Sequence, residues 1–119
     1  GHVWPAPDLM FPEDHCARCD ANLCRPDLVW FGEEVRFLDQ IIEATRKADL
    51  FALIGTSGNV HPAAGLMALA HECGAATVEI NLEPSAVASA ADRVILGRAT
   101  EVVPVWVDET LTNAVRLRR

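Results

Sequence analysis

The chain has 119 residues, half of them hydrophobic and 23% charged, which is enough for one globular domain with a moderate core. Its formal net charge of −7 argues against a nonspecific nucleic-acid surface and tolerates a cationic partner such as a lysine-bearing peptide. No apolar run reaches the roughly 18–20 residues of a membrane span and no leader-like stretch opens the sequence, so a cytoplasmic protein without a membrane partner is expected.

Residues 1–26 hold four of the seven prolines and show no sustained period. Such irregular chain is hard to stabilise without a metal or a partner surface. Trp4, Met10 and Phe11 have no helical or strand pattern to bury them; they belong either to a satellite cluster or to a surface outside the chain. Cys16-Ala17-Arg18-Cys19 is a C-x-x-C. Two thiolates at this spacing can share a tetrahedral zinc, but a structural site needs four ligands, and His15 and Cys24 are the nearby donors that could complete the set. A metal-free loop and a redox pair are the other readings. With cysteines at 16, 19, 24 and 73, the spacing is too uneven for a disulfide framework, and a reducing compartment is expected.

Asp27–Phe31 reads as a short β-rich run bounded by Pro26 and Gly32. Exposed, Trp30 and Phe31 would flank an edge onto which a peptide could add as a strand; buried, they would be core. From Glu34 to Ala48, Val35, Leu38, Ile41, Ile42 and Thr45 recur at helical spacing with charges between them, so an amphipathic helix with its charges in solvent is predicted.

The central stretch runs from Asp49 to Pro84. Leu50–Ile54 is apolar throughout, as in a strand covered on both faces of a parallel sheet. Gly55-Thr56-Ser57-Gly58 then makes a turn without bulky side chains. A helix is predicted from about Pro62, with Ala63, Leu66, Met67, Ala70 and Cys73 on its buried stripe. His61 and His71 stand at its two ends as surface or capping residues without predicted partners. A second strand, Thr77–Ile80, ends at Asn81. This β-α-β unit brings a small-residue turn and a polar strand end to the edge where open parallel sheets bind nucleotides. The competing reading is an ordinary connection whose glycines only turn corners. The turn matches neither G-x-G-x-x-G nor the phosphate-binding G-K-[ST] pattern.

Residues 85–92 are small and helix-compatible, Arg93–Leu96 is a last strand, and Gly97-Arg98-Ala99-Thr100 is the turn after it. A final helix is predicted from about Pro104 to Leu117, with Val103, Trp106, Val107, Ala114 and Leu117 apolar. Arg116, Arg118 and Arg119 then favour its dipole and solubility.

Taken together, RPDLVWFGE (25–33), GTSGNVHPAA (55–64), INLEP (80–84) and GRA (97–99) resemble, in order and interval, the C-terminal half of a sirtuin, an NAD-dependent protein-lysine deacylase. The GTSG and NLEP variants are most similar to the bacterial desuccinylase-like branch. The resemblance covers the chain from about Cys16 to Leu111. It implies an α/β fold, a partial Rossmann-like parallel sheet with flanking helices, after an irregular segment with zinc-binding potential. Residues 1–26 would be the remnant of a small zinc-binding subdomain and 27–119 the C-terminal half of the NAD-binding domain.

By the same resemblance, Gly55, Thr56 and Ser57 would contact the ribose and phosphate side of NAD. Asn81, Leu82 and Glu83 would hold the adenosine ribose, and Ala99 would lie beside the adenine. Val29 and Phe31 would line the acyl-lysine tunnel, with Gly32 and Glu33 pairing with the substrate peptide. Cys16 and Cys19 would be one pair of a structural zinc site. The family's Gly-Ala-Gly-Ile-Ser loop, its Gln-Asn-x-Asp block, its catalytic His-Gly and the first zinc cysteine pair do not occur in this sequence. The expectation is therefore a deacylase half without turnover alone, its partner being the missing N-terminal half. The rival readings are a noncatalytic NAD or ADP-ribose binder and a protein-interaction module docking through Trp30 and Phe31.

Overall fold

The computed structural model describes residues 2–5, 7–11, 13–19 and 24–117; the side chains of 114–117 lie outside that description. The side chains of the predicted basic cluster, Arg116, Arg118 and Arg119, therefore fall outside the description, as do those of Ala114 and Leu117. Packing divides the chain between Arg36 and Phe37 into two compact units. No helix among the described residues is long and apolar enough to cross a membrane.

The second unit is an α/β layer: α1 (Leu38–Arg46), β1 (Leu50–Ile54), α2 (Ala64–Glu72), β2 (Ala76–Asn81), a 3-10 turn at Ala88–Ala90, β3 (Arg93–Leu96) and α3 (Ala99–Leu117). The three strands are parallel in the order β1-β2-β3. β1 and β3 fall on the predicted residues. The core sits on the central strand, where Thr77, Val78, Glu79 and Ile80 are all buried, and α2 adds Ala64, Met67 and Ala70. Coverage on both faces, expected of β1, holds for β2 instead. β1 is an edge strand, and its ends Leu50 and Ile54 are exposed because one neighbour cannot shelter a strand as two do.

Several boundaries differ from the periodicity. α1 begins at Leu38 because Phe37 adopts a left-handed φ of 61°, which breaks the helix that Glu34 was expected to open. Its one buried residue, Thr45, donates its hydroxyl to the Ile41 carbonyl at 2.8 Å. α3 begins at Ala99, ahead of Pro104: the Arg98 carbonyl accepts from the N–H groups of Glu101 and Val102 at 2.9 and 3.0 Å, closing the first turn there. Pro104 is then interior and forfeits a backbone hydrogen bond that the remaining turns tolerate. Of residues 85–92 only the short 3-10 turn is helical. Cys73, assigned to the core by spacing, is exposed at the C-cap of α2, because the buried stripe ends one turn earlier at Ala70.

His71 does have a partner. Its Nδ1 lies 3.3 Å from Asp92 Oδ1, and Asp92 Oδ2 accepts the Thr77 N–H at 2.7 Å. The Thr77 hydroxyl in turn accepts the Asp92 N–H at 2.9 Å. The Thr77 N–H, then the Thr77 hydroxyl and the charge of His71, hold the Asp92 carboxyl below the usual carboxylate range. This network ties the end of α2 to the amino-terminal edge of the sheet.

Candidate functional site

The carboxyl-terminal edge of the sheet is built from three strand exits. Gly55 leaves β1 with φ 63° and donates its N–H to the Ile80 carbonyl at 2.9 Å. A Cβ on Gly55 would meet nothing within 4 Å, so the backbone there faces open space. Gly58 closes the same turn under the opposite constraint. With φ 69°, a Cβ would stand 2.8 Å from Val87 Cγ2 and 3.0 Å from Ser85 Oγ. Gly55 and Ser57 are exposed, Thr56 is half-buried and Gly58 is buried. Among the described residues, no acceptor meets the N–H groups of Thr56 and Ser57. Two backbone donors left without a protein acceptor on a turn of small residues suit an anionic or hydroxyl-rich ligand.

Asn81 ends β2 and braces this turn. Its Nδ2 donates to the Thr56 carbonyl at 2.7 Å and its Oδ1 accepts the Leu82 N–H at 2.9 Å. The side-chain amide thus fixes the gap between two strand exits, while the exposed Leu82 and Glu83 follow it. The Asn81 carbonyl accepts from Gly97 N–H at 2.9 Å, which brings the exit of β3 to the same edge. Ala99 then opens α3 and is exposed. Gly55, Thr56, Ser57, Asn81, Leu82, Glu83 and Ala99 therefore lie at one edge of the sheet.

In the first unit, the run expected as a strand is not one. Residues 27–33 make bends and turns, because a strand needs a neighbour for its backbone groups and Gly32 has a left-handed φ of 86°. The Glu33 N–H donates to the Trp30 carbonyl at 3.1 Å, and the Glu33 carboxylate accepts the Trp30 N–H at 3.0 Å. Arg25 grips that carboxylate through both terminal nitrogens, one at 2.8 Å, and reaches the Leu28 carbonyl at 3.1 Å. Hydrogen bonds from Arg25, then from the Trp30 N–H, lower the Glu33 carboxyl to about 2. The clamped turn presents Val29, Trp30 and Phe31 outward, Phe31 being 91% exposed, which decides between the two readings of this pair in favour of exposure. Trp4 and Phe11 are exposed too, while Met10 is half-buried.

The metal-type donors also lie in this unit. His2, Cys16 and Cys19 offer ligand atoms that all lie within 4.8 Å of one another, and Cys16 Sγ is 3.4 Å from His2 Nδ1. A tetrahedral zinc with bonds of about 2.3 Å to sulfur and about 2.0 Å to nitrogen separates its donors by roughly 3.5–3.8 Å, so the set fits such an ion. The Arg18 N–H, with His2 and Cys19 assisting against burial, lowers the Cys16 thiol to about 6, toward the thiolate that binds metal. Cys24 moves the other way, raised first by burial and then by the neighbouring thiols and Asp14. His2 carried no signal in the sequence: a proline-rich stretch separates it from Cys16, and only the fold brings them together.

The Sir2 family model matches residues 6–62. An NAD-dependent protein deacylase of Caulobacter vibrioides is 52% identical over 112 residues, covering 93% of this chain and 47% of that protein. The chain is similar to the Sir2 family along nearly its whole length. A Sir2 homologue mutant solved with ADP-ribose superposes with a TM-score of 0.77 at 32% identity, over 97% of this chain and 46% of the homologue. A Sir2 complex with a p53 peptide and NAD+ gives a TM-score of 0.68 at 28% identity, over 81% and 40%. The chain spans less than half the length of these relatives, and its parallel sheet with flanking helices is the Rossmann-like layer they share.

Proposed function

We propose that this chain contributes the adenosine end of the cofactor site, and the peptide-facing turn, of an NAD-dependent protein-lysine deacylase. The observation that carries the reading is the open Gly55–Ser57 turn, whose Thr56 and Ser57 N–H groups meet no acceptor among the described residues, braced by Asn81 at the exits of adjacent parallel strands. The likeness to the ADP-ribose complex supports it. Gly55, Thr56 and Ser57 would face the ribose and phosphates, Asn81, Leu82 and Glu83 the adenosine ribose, and Ala99 the adenine. With Asn81's amide already engaged, Leu82 and Glu83 supply the outward groups at that position.

Val29 and Phe31 would line the acyl-lysine tunnel, and the backbone at Gly32 and Glu33 would pair with an extended peptide; the likeness to the p53 peptide complex supports a peptide substrate. Cys16 and Cys19 would hold a structural zinc, with His2 as third donor. Residues 1–26 then belong to a small zinc-binding subdomain and 27–119 to the C-terminal half of the NAD-binding domain. The acyl groups proposed are acetyl and succinyl, and the setting proposed is the cytoplasm. An N-terminal half would supply the phosphate loop and the histidine base.

Calorimetric titration of the chain with ADP-ribose and with NAD tests the reading, and failure of both to bind at millimolar ligand sinks it. The 119 residues alone are expected to show no turnover of an acyl-lysine peptide. A second reading, a noncatalytic NAD or ADP-ribose binder, is favoured by one observation: of the chain's histidines, His71 is committed to Asp92 and none stands in a His-Gly pair. Binding without activity after an N-terminal half is added would select it.

A further inference from the structure

One ionisable side chain has no part in the reading above. Glu79 sits in the middle of β2 with no exposed surface, opposite Leu53 on one neighbouring strand and Val94 on the other. An apolar residue of similar volume would fill this place without the desolvation cost of a carboxylate, so packing alone does not account for it. Its two oxygens take the Ser85 N–H at 2.6 Å and the Ser85 hydroxyl at 3.0 Å. Ser85 Oγ then accepts the Val87 N–H at 3.2 Å, and the next residue, Ala86, donates its N–H to the Ser57 carbonyl at 3.1 Å. Ser85 and Val87 are also the side chains against which Gly58 closes.

We propose that Glu79 is a positioning residue for the nucleotide-facing edge. Anchored in the core, it fixes Ser85, and Ser85 sets residues 85–87 against Ser57 and Gly58. The span of the Gly55–Gly58 turn, and the course of the Leu82–Pro84 loop between Asn81 and Ser85, follow from that anchor. Glu79 touches no ligand. The inference rests on the adenosine reading of this edge for its functional consequence, and on the hydrogen bonds alone for the tether.

The test compares the 119-residue chain with Glu79→Leu, which keeps the core filled, and Ser85→Ala, which leaves the core untouched. Amide hydrogen exchange at Ala86 and calorimetry with ADP-ribose are the readouts. Ala86 is expected to be protected in the parent chain and to exchange about tenfold faster in both variants, with ADP-ribose weakened by about the same factor and the protection of Ile80 retained. A merely structural role would instead lower protection across β2 along with Ala86. Unchanged Ala86 exchange in Ser85→Ala, or an unprotected Ala86 in the parent chain, overturns the tether. Faster exchange with unchanged ADP-ribose affinity overturns the positioning role. Should Glu79→Leu not fold, Ser85→Ala decides; should the parent chain bind no ADP-ribose, the nucleotide reading falls and the exchange arm still judges the tether.

Discussion

The Asn81 side-chain amide reaches the Thr56 carbonyl at 2.7 Å, joining the exits of β2 and β1 across the mouth of the proposed nucleotide edge. Replacing Asn81 with Asp removes the donor and sets a carboxylate against a carbonyl oxygen. Asn81→Asp is expected to cost about 1–3 kcal/mol of stability, read by urea denaturation, and to weaken ADP-ribose in calorimetry. An Asn81→Asp chain as stable as the parent would remove the brace from the account.

Gly55 and Gly58 have similar left-handed backbones but opposite surroundings. Alanine at Gly55 meets only the backbone cost, about 1–2 kcal/mol. Alanine at Gly58 adds a clash with Val87 and Ser85, raising the total to roughly 2–5 kcal/mol. Thermal melts of the two variants should rank Gly58→Ala as much the less stable. Equal melting temperatures would contradict the close packing at Gly58.

Glu33 gives the first unit a specific acid sensitivity. Its carboxyl is lowered from 4.5 to about 2 by Arg25 and the Trp30 N–H. A depressed folded value means that its support of the Trp30–Glu33 turn is fully present above pH 4.5 and lost as pH falls through about 2. Trp30 is half exposed, so its fluorescence and its amide shift are expected to follow that transition. Glu33→Gln should abolish it; a transition of the same midpoint in Glu33→Gln would assign it to another group.

Zinc binding is predicted at His2, Cys16 and Cys19. Chain prepared under reducing conditions should carry about one zinc, measured by atomic emission, and a cobalt-substituted sample should show thiolate-to-metal absorption. Cys16→Ser and Cys19→Ser should each lose the metal, and His2→Ala should weaken it. Full zinc content in both cysteine variants would place the ion elsewhere or nowhere.

Local sequence fixed what depends on near neighbours. β1 and β3 follow from apolar runs of strand length between turn residues, the Gly55–Gly58 turn from its small side chains, and the shared exit edge from the β-α-β order. Those features were legible because period, turn chemistry and parallel connectivity are set within a few residues. Tertiary structure alone decided side-chain partnerships that no period or motif marks: His2 with Cys16, His71 with Asp92 and Asp92 with Thr77, and Glu79 with the Ser85 that commands the turn. It also exposed Cys73 and Phe31, denied Asp27–Phe31 a strand, and started α3 at Ala99, ahead of its proline. Burial and hydrogen-bond partnership depend on what the rest of the chain brings alongside, and a one-dimensional pattern carries no record of that distance.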